Sequence, residues 1–346
     1  MKKSILFGVL FAIASVLNAQ TVYDNELALI YYMPQTQLCF DVEYEEEILH
    51  KGIFADYAQQ YLGTADIIQA DAHLYHIISV RPHTKAVADY TRAYKVVAEN
   101  GIESQLLNLT PFGTLAGYNL PTQAPKHMPE ARKCAPKKPA LEGPKVMPLF
   151  EEHLNGKSIA QQAQGAAKLI YRIRENRMYL ISGEVDHVPA DGQAMKLVLD
   201  ELDKQEKQLV DLFLGTREVI KHHKVLSYTP AKTEEVEIAY FSETEGFTTS
   251  GNGEPIVLNI TARRQTKGNS RVEADKKAPS PSQIFYNLPG SAIYKVLYLD
   301  EILVEKQAEI AQFGVAIPLA RTLFTRGELP HIHFDIKTGG IKSIEK

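Results

Sequence analysis

The 346-residue chain has no tryptophan, only two cysteines and no strong excess of charge of either sign. The missing tryptophan argues weakly against a sugar-binding cleft, where an indole ring often stacks on the sugar. A formal net charge of -4 gives no positive surplus that would indicate nucleic acid as a partner. Hydrophobic residues make up 45% and charged residues 23%, which is typical of a globular chain long enough for two domains.

The one long apolar run lies at the N-terminus and has the pattern of a secretory signal peptide. Lys2 and Lys3 precede the uncharged run 4–17, and the small residue Ala19 comes just before Gln20. A membrane span needs about 20 apolar residues, so the run is short for an anchor. We expect residues 1–19 to be removed, which gives a periplasmic or extracellular protein with no membrane span after cleavage.

The two cysteines, Cys39 and Cys134, can form a disulfide if the chain is exported. Cys39 lies in an alternating run that predicts a strand with Leu38 and Phe40 on one face and Cys39 with Asp41 on the other. Cys134 lies in a segment rich in proline and lysine. A Cys39–Cys134 bridge and two free thiols both remain open.

The order of patterns along the chain predicts an α+β fold: two mostly antiparallel, strand-rich domains with a central helical hairpin. We expect an N-terminal β-rich domain at 20–120, a linker at 121–150, the helical hairpin at 151–215 and a C-terminal β-rich domain at 216–346. The linker is predicted because seven prolines and many lysines lie between 121 and 148.

Three residues predict the bounds of the helical hairpin. Ser158 and Asp191 are suitable N-caps, and Gly215 is a suitable C-terminal stop. The short connection between the two helices favours an antiparallel pair.

A short internal similarity relates the two strand-rich ranges. The pattern Tyr-x-apolar-Pro-x-hydroxyl-x-aliphatic occurs at 31–38 and again at 286–293, and each block later ends in a hairpin with glycine in its turn. Both duplication and coincidence explain so short a match.

The best candidates for metal ligands are His331, His333 and Asp335, which alternation places on one face of a strand. Such neighbours lie about 6–7 Å apart along the strand, which is wide for three ligands of one ion. We therefore interpret the row as a solvent-facing strand and expect no metal or other cofactor.

The acidic run at 43–47 is a second candidate for cation binding, although alternation places Glu43, Glu45 and Glu47 on a solvated face. His222 and His223 are adjacent, so on a strand they point to opposite faces. The sequence contains no phosphate-binding loop, no zinc-binding helix motif and no Gly-x-Ser-x-Gly elbow. The catalytic residues, if there are any, are unknown at this point.

Several segments together resemble an uncharacterised family, domain of unknown function 4831, found in exported proteins of Bacteroides and relatives. The similarity spans nearly the whole mature chain and rests on these segments: Tyr31-x-x-Pro34, residues 54–63, Ala166 to Arg177, Gly183-Glu184, Asp191-Gly192, Leu199 to Glu206, Phe213-x-Gly215 and Gln312-Phe313-Gly314. The resemblance implies an organism group and one conserved architecture, but no activity and no catalytic residues.

Two hypotheses for the function follow. The first is a non-enzymatic periplasmic or cell-envelope protein that binds or scaffolds another envelope protein or a glycan. The second is a secreted hydrolase, which could act on glycans. A deep cleft with two facing carboxylates would favour the hydrolase, whereas a shallow apolar groove or an exposed sheet edge would favour binding.

Overall fold

The computed structural model describes residues 28–97, 106–121, 158–184, 191–249, 251–264, 283–324 and 328–345. Within these ranges the chain forms antiparallel sheets and a few helices, which confirms the strand-rich α+β fold class. The strands are β1 (Ala28–His50), β2 (Ala72–Val97), β3 (Leu107–Leu109), β4 (Leu115–Tyr118), β5 (Thr216–Tyr228), β6 (Glu234–Ser242), β7 (Gly246–Thr248), β8 (Glu254–Arg264), β9 (Phe285–Tyr298), β10 (Glu301–Pro318), β11 (His331–Phe334) and β12 (Ile341–Glu345).

The helices are α1 (Ala58–Leu62), α2 (Ile159–Ser182) and α3 (Gly192–Leu214). Ser158 and Asp191 cap α2 and α3, because the side chain of each accepts a hydrogen bond from a first-turn amide. Gly215 follows α3 with a positive φ, so both predicted caps and the predicted stop are confirmed. The connection between α2 and α3 lies partly outside the described residues.

A three-stranded sheet, with the order β2-β1-β5, forms one layer of the molecule. The sequence indicated separate short strands at 28–33 and 38–44, but β1 continues through Pro34 for 23 residues. Within the described residues β5 pairs only with residues 38–50 of β1. No described strand therefore pairs with β1 at Pro34 on that side, so the missing amide hydrogen of Pro34 costs no strand pairing there.

A five-stranded sheet, with the order β10-β9-β8-β6-β7, packs against the first. Leu38, Phe40 and Val42 of β1 lie in the core between the sheets, together with Leu258 and Tyr294. The alternation predicted for β1 is therefore confirmed, and each such buried side chain contributes about 1.5–3 kcal/mol to folding.

A small four-stranded sheet has the order β12-β11-β4-β3. It combines two strands from the N-terminal strand-rich range with two strands near residue 340. Ile332 of β11 pairs with Tyr118 of β4, and both are buried in a second apolar cluster. The ranges 20–120 and 216–346 thus share sheets and cores. A third cluster buries the base of the helical hairpin: Ile170 of α2 and Phe213 of α3 contact Phe54, just before α1.

The internal similarity found in the sequence corresponds to matching structure. The amide of Tyr32 donates to the Gly113 carbonyl at 2.9 Å, and the equivalent amide of Asn287 donates to the Gly339 carbonyl at 2.9 Å. Both glycines have a positive φ, 76° and 74°, which turns of this kind require. Beside each matching segment, the partner strand carries an irregularity of register: residues 90–92 of β2 and residues 311–314 of β10. The two blocks therefore share the contact with a glycine turn and have an irregularity nearby, which falls one position later in the motif of the second block.

Candidate binding surface

The outer face of the three-stranded sheet carries a row of carboxylates on β1 between basic residues of β2 and β5. Glu45 pairs with Lys221 at 3.3 Å, and Glu47 pairs with Arg217 at 2.6 Å. Glu43 pairs with Arg81. All three glutamates therefore point to the outer face of the sheet, where each pairs with a basic side chain of a neighbouring strand. We call this row of ion pairs on the exposed face the ion-pair ladder. Such exposed pairs add little stability, about 0–1 kcal/mol each.

Glu46 differs from its neighbours because it points to the inner side of the same sheet. Its side chain is only 15% exposed and accepts hydrogen bonds from Tyr75 Oη at 2.9 Å, His73 Nδ1 at 3.1 Å and His222 Nε2 at 2.8 Å. Partial burial alone would raise the pKa of Glu46, but the hydrogen bonds from His222, His73 and Tyr75 outweigh it and lower the pKa. The ring of Tyr44 stacks on His222 at 5.1 Å.

The Glu46 cluster holds the end of the first sheet to the second. The Tyr75 amide donates to the Glu243 carbonyl at 2.7 Å, and the ring of Tyr44 contacts Phe241 and Phe247 of the second sheet. Both carboxylate oxygens of Glu46 are thus engaged within the molecule. We interpret the cluster as a structural joint between the sheets. As sequence reasoning expected, His222 and His223 point to opposite faces: His223 lies 3.8 Å from Asp41 on the outer face.

The long strand β2 is an edge strand, since no second strand of the described ranges pairs with it. Its backbone polar groups alternate between β1 and the outside. Pro82 has no amide hydrogen, and in a sheet a proline takes a position whose amide faces away from the partner strand. The same direction then applies to residues 84, 86 and 88, because the pairing with β1 is regular from Ser79 to Asp89. We call residues 83–88 the open edge.

A cleft of about 350 Å³ runs beside the open edge. One wall is formed by residues 82–85 of β2, and the opposite wall by residues 307–309 of β10. Tyr294 and the β11–β12 turn, with Asp335 and Lys337, close its end. The cleft therefore places the edges of the two large sheets side by side, with Lys85, Lys337 and Glu309 around the opening. A second cleft of about 240 Å³ lies on the face with the ion-pair ladder, beside Ile78.

The three predicted metal-ligand candidates have separate surroundings. His331 Nδ1 contacts the Asn119 carbonyl oxygen. His333 lies within the four-stranded sheet, paired with Ser343. Asp335 lies beyond the end of β11 and accepts the amide hydrogens of Lys337 and Thr338 at 2.7 and 3.1 Å. In the part of the chain that the structure describes, no three His, Cys, Asp or Glu side chains converge closely enough to hold a metal ion.

Cys39 lies on the outer side of β1, opposite His83 of β2, and its residue is only 4% exposed. Burial raises the pKa of the Cys39 thiol, and nearby Lys85 offsets this only in part. A raised pKa leaves the group a thiol rather than a thiolate at neutral pH. Cys134 is outside the described residues, so the structure tests neither the Cys39–Cys134 bridge nor the alternative of two free thiols.

The described helices also include no segment with the length and apolar character that crossing a bilayer requires. Apolar burial on the helical hairpin is confined to its base, around Ala166 and Ile170 of α2 and Leu209 and Phe213 of α3.

The fold therefore defines an α+β protein in which two antiparallel sheets pack face to face and a helical hairpin is anchored beside them. The chain belongs to the family described as domain of unknown function (DUF4831), whose model matches residues 28–342. No curated protein and no solved structure matches the chain. The family assignment confirms the resemblance found in the sequence and carries no activity with it.

Proposed function

We propose that this protein is an exported, non-enzymatic binding protein of the cell envelope, and that it accepts an extended segment of a partner protein at the open edge of β2. The observation that carries the proposal is this unpaired edge, residues 83–88, whose first part borders a cleft of about 350 Å³. Export is proposed from the N-terminal sequence, with its two lysines, apolar run and small residue at Ala19.

A sheet edge binds polypeptide better than other ligands because its amides and carbonyls repeat at the spacing of another strand. An added strand forms hydrogen bonds along its main chain, and neighbouring pockets select its side chains. Here Lys85 and Lys337 stand at the opening of the cleft, and Thr84 and Tyr294 line it. The two lysines and Thr84 offer polar contacts to side chains of an added strand, whereas the Tyr294 ring is almost fully buried.

Two features of β2 limit pairing to the open edge. Pro82 interrupts the outward amides at one end, and the irregular residues 90–92 interrupt the strand at the other. Prolines and bulges on edge strands protect against uncontrolled aggregation. At Tyr75 the outward amide is already bonded to Glu243. Between these points the edge is long enough for a short strand of about five or six residues.

Replacing Ala86 with proline tests the proposal. The substitution removes an outward amide hydrogen without touching the hydrogen bonds between β1 and β2, and Ala86→Ser is the matched control that keeps the amide. Each full-length protein is used as bait in envelope fractions, and captured proteins are identified by mass spectrometry. We expect a protein that wild type and Ala86→Ser capture equally and that Ala86→Pro captures at least about tenfold less.

Circular dichroism and thermal unfolding show whether Ala86→Pro keeps the fold. If the folded proline variant captures the same partners as wild type, the edge is not the binding site. If none of the three proteins captures a partner above a bead control, the proposal fails as a whole.

One observation favours the hydrolase as a second candidate. Glu309 and Asp335 line the same cleft, as a pair of catalytic carboxylates would. However, the Asp335 carboxylate already accepts two backbone amides in its turn, which favours a structural role. Release of reducing sugar from a panel of polysaccharides, lost in both Glu309→Gln and Asp335→Asn, would establish the hydrolase instead of the binding protein.

A further inference from the structure

The irregular residues Tyr90, Thr91 and Arg92 of β2 form a rigid bulge at the end of the open edge. The Asp89 carboxylate accepts hydrogen bonds from the Thr91 amide at 3.0 Å and from Arg92 Nε at 2.7 Å. Arg92 Nη2 also donates to the Pro34 carbonyl of β1 at 2.9 Å. These bonds fix the bulge to its own sheet, so its shape is set before any partner binds.

The bulge presents an aromatic side chain to the outside. Tyr90 is 69% exposed, and its ring meets the edge of the Tyr32 ring at 5.0 Å and 73°. Phe112, 56% exposed, lies in the β3–β4 turn next to Gly113, whose backbone lies close to the Tyr32 ring. Tyrosine held in place by its neighbours loses little entropy on binding, which is why it is frequent at interface hot spots.

The irregular segment beside the motif in the second block shows what a bulge of this kind can bind. Residues 311–314 of β10 lie against β1, and the Gln312 side chain donates to the Thr36 carbonyl at 2.9 Å and accepts the Thr36 amide at 2.8 Å. The Ala311 amide donates to Thr36 Oγ1 at 2.9 Å. The bulge of the second block therefore grips one residue of an extended strand by both of its main-chain groups.

We propose that the Tyr90–Arg92 bulge is a docking site for an extended segment of a partner protein, with an apolar side chain of that segment packed on the Tyr90 ring. The proposal rests on the proposed function, because the bulge directly continues the open edge. The block containing β10 uses its bulge inside the molecule to hold β1, whereas the bulge of β2 carries Tyr90 exposed on the surface. A strand added along residues 83–88 would reach Tyr90 with its next side chain, since successive residues advance about 3.3 Å.

Random peptides displayed on phage and selected against the full purified chain test this docking site. Selected peptides are synthesised, and their affinities are measured by fluorescence polarisation for wild type, Tyr90→Ala, Ala86→Pro and Tyr179→Ala. Tyr179 is the matched control, because it is an exposed tyrosine on α2 outside the proposed site. We expect Tyr90→Ala to weaken binding about tenfold or more, and Tyr179→Ala to leave it unchanged.

The variants separate the two proposals. If Ala86→Pro abolishes peptide binding and Tyr90→Ala does not change it, the open edge stands and the bulge is not a docking site. If neither variant changes the affinity, or if no peptide is selected above background, both proposals are overturned. Binding of a polysaccharide that depends on Tyr90 and excludes the peptides would overturn the protein partner.

Discussion

Replacing Glu46 with glutamine removes one negative charge from the point where His73, Tyr75 and His222 converge. Glutamine has nearly the same volume, but its NH2 group is a donor that faces other donors. The partner that faces the NH2 group then either loses its acceptor or, if it is a histidine, must move its ring proton to the other nitrogen, in a site where the carboxylate was only 15% exposed. Leaving one such group without a partner costs about 1–3 kcal/mol in the free energy of unfolding.

The same variant also predicts a change in the pH dependence of stability. The pKa of Glu46 is lowered in the folded protein, so its contribution is present above the unfolded pKa of about 4.3 and is lost as pH falls through the folded pKa. The stability difference between wild type and Glu46→Gln should therefore be largest near neutral pH and shrink in acid below about pH 4.

Urea unfolding followed by far-ultraviolet circular dichroism, at neutral pH and in acid, measures both effects. Glu45→Gln is the matched control, because Glu45 lies on the outer face of the same strand and pairs with Lys221, which is 83% exposed. We expect the control to lose less than about 1 kcal/mol. Equal losses in the two variants, or a Glu46→Gln loss that does not shrink in acid, would refute the interpretation of Glu46 as a structural joint.

Three further predictions concern stability and are measured by the same unfolding assay. Gly314→Ala should lower the free energy of unfolding by about 1–3 kcal/mol, because a Cβ there would overlap the Leu288 carbonyl. Gly192→Ala is the control and should be neutral or slightly stabilising, because a Cβ there meets open space. A loss at Gly192 as large as the loss at Gly314 would contradict this prediction. Asn287→Ala should lower the free energy of unfolding by about 2 kcal/mol, because the buried side-chain amide of Asn287 donates to two backbone carbonyls. A loss below about 0.5 kcal/mol would contradict this structural role. Asp191→Ala should cost about 1 kcal/mol, while Asp191→Asn should retain most of the cap, and equal losses in the two would contradict capping.

The parts of the fold that the sequence predicted depend on local patterns. The helical hairpin is marked by Ser158 and Asp191 as caps and by Gly215 as a stop, and each acts on residues within one turn. The faces of β1 follow from strict alternation, since Leu38 and Phe40 lie in the core. Local signals of this kind do not depend on what the rest of the chain does.

The features that the sequence did not predict depend on distant partners. The Glu46 cluster joins residues up to 176 positions apart, and no spacing in the sequence brings His222 to Glu46. The sequence nevertheless contained a signal for this cluster. Glu46 is an even number of residues from Phe40 and Tyr44, so strand alternation places its acidic side chain on the same core-facing side of β1. Such a buried carboxylate needs partners, and the neighbouring strands supply them.

The full length of β2 is missed for a different reason, since the sequence pattern predicts strands only at 74–80 and 93–97. The segment 81–92 mixes proline, charged residues and alanine, which have low strand propensity. Its strand structure comes from pairing with β1 along the whole segment, so tertiary context outweighs local preference. Pro82 signals an edge strand only when the segment is already known to be a strand. The proposed binding edge thus could be recognised only in the folded molecule.

Amide hydrogen exchange of the full chain, alone and with the partner recovered by the Ala86→Ser bait, tests the central claim most directly. Residues 84, 86 and 88 should exchange quickly in the free protein, because their amides point away from β1, and should become strongly protected in the complex. Protection confined to the helical hairpin or to the face with the ion-pair ladder, with unchanged exchange at these three residues, would contradict the account.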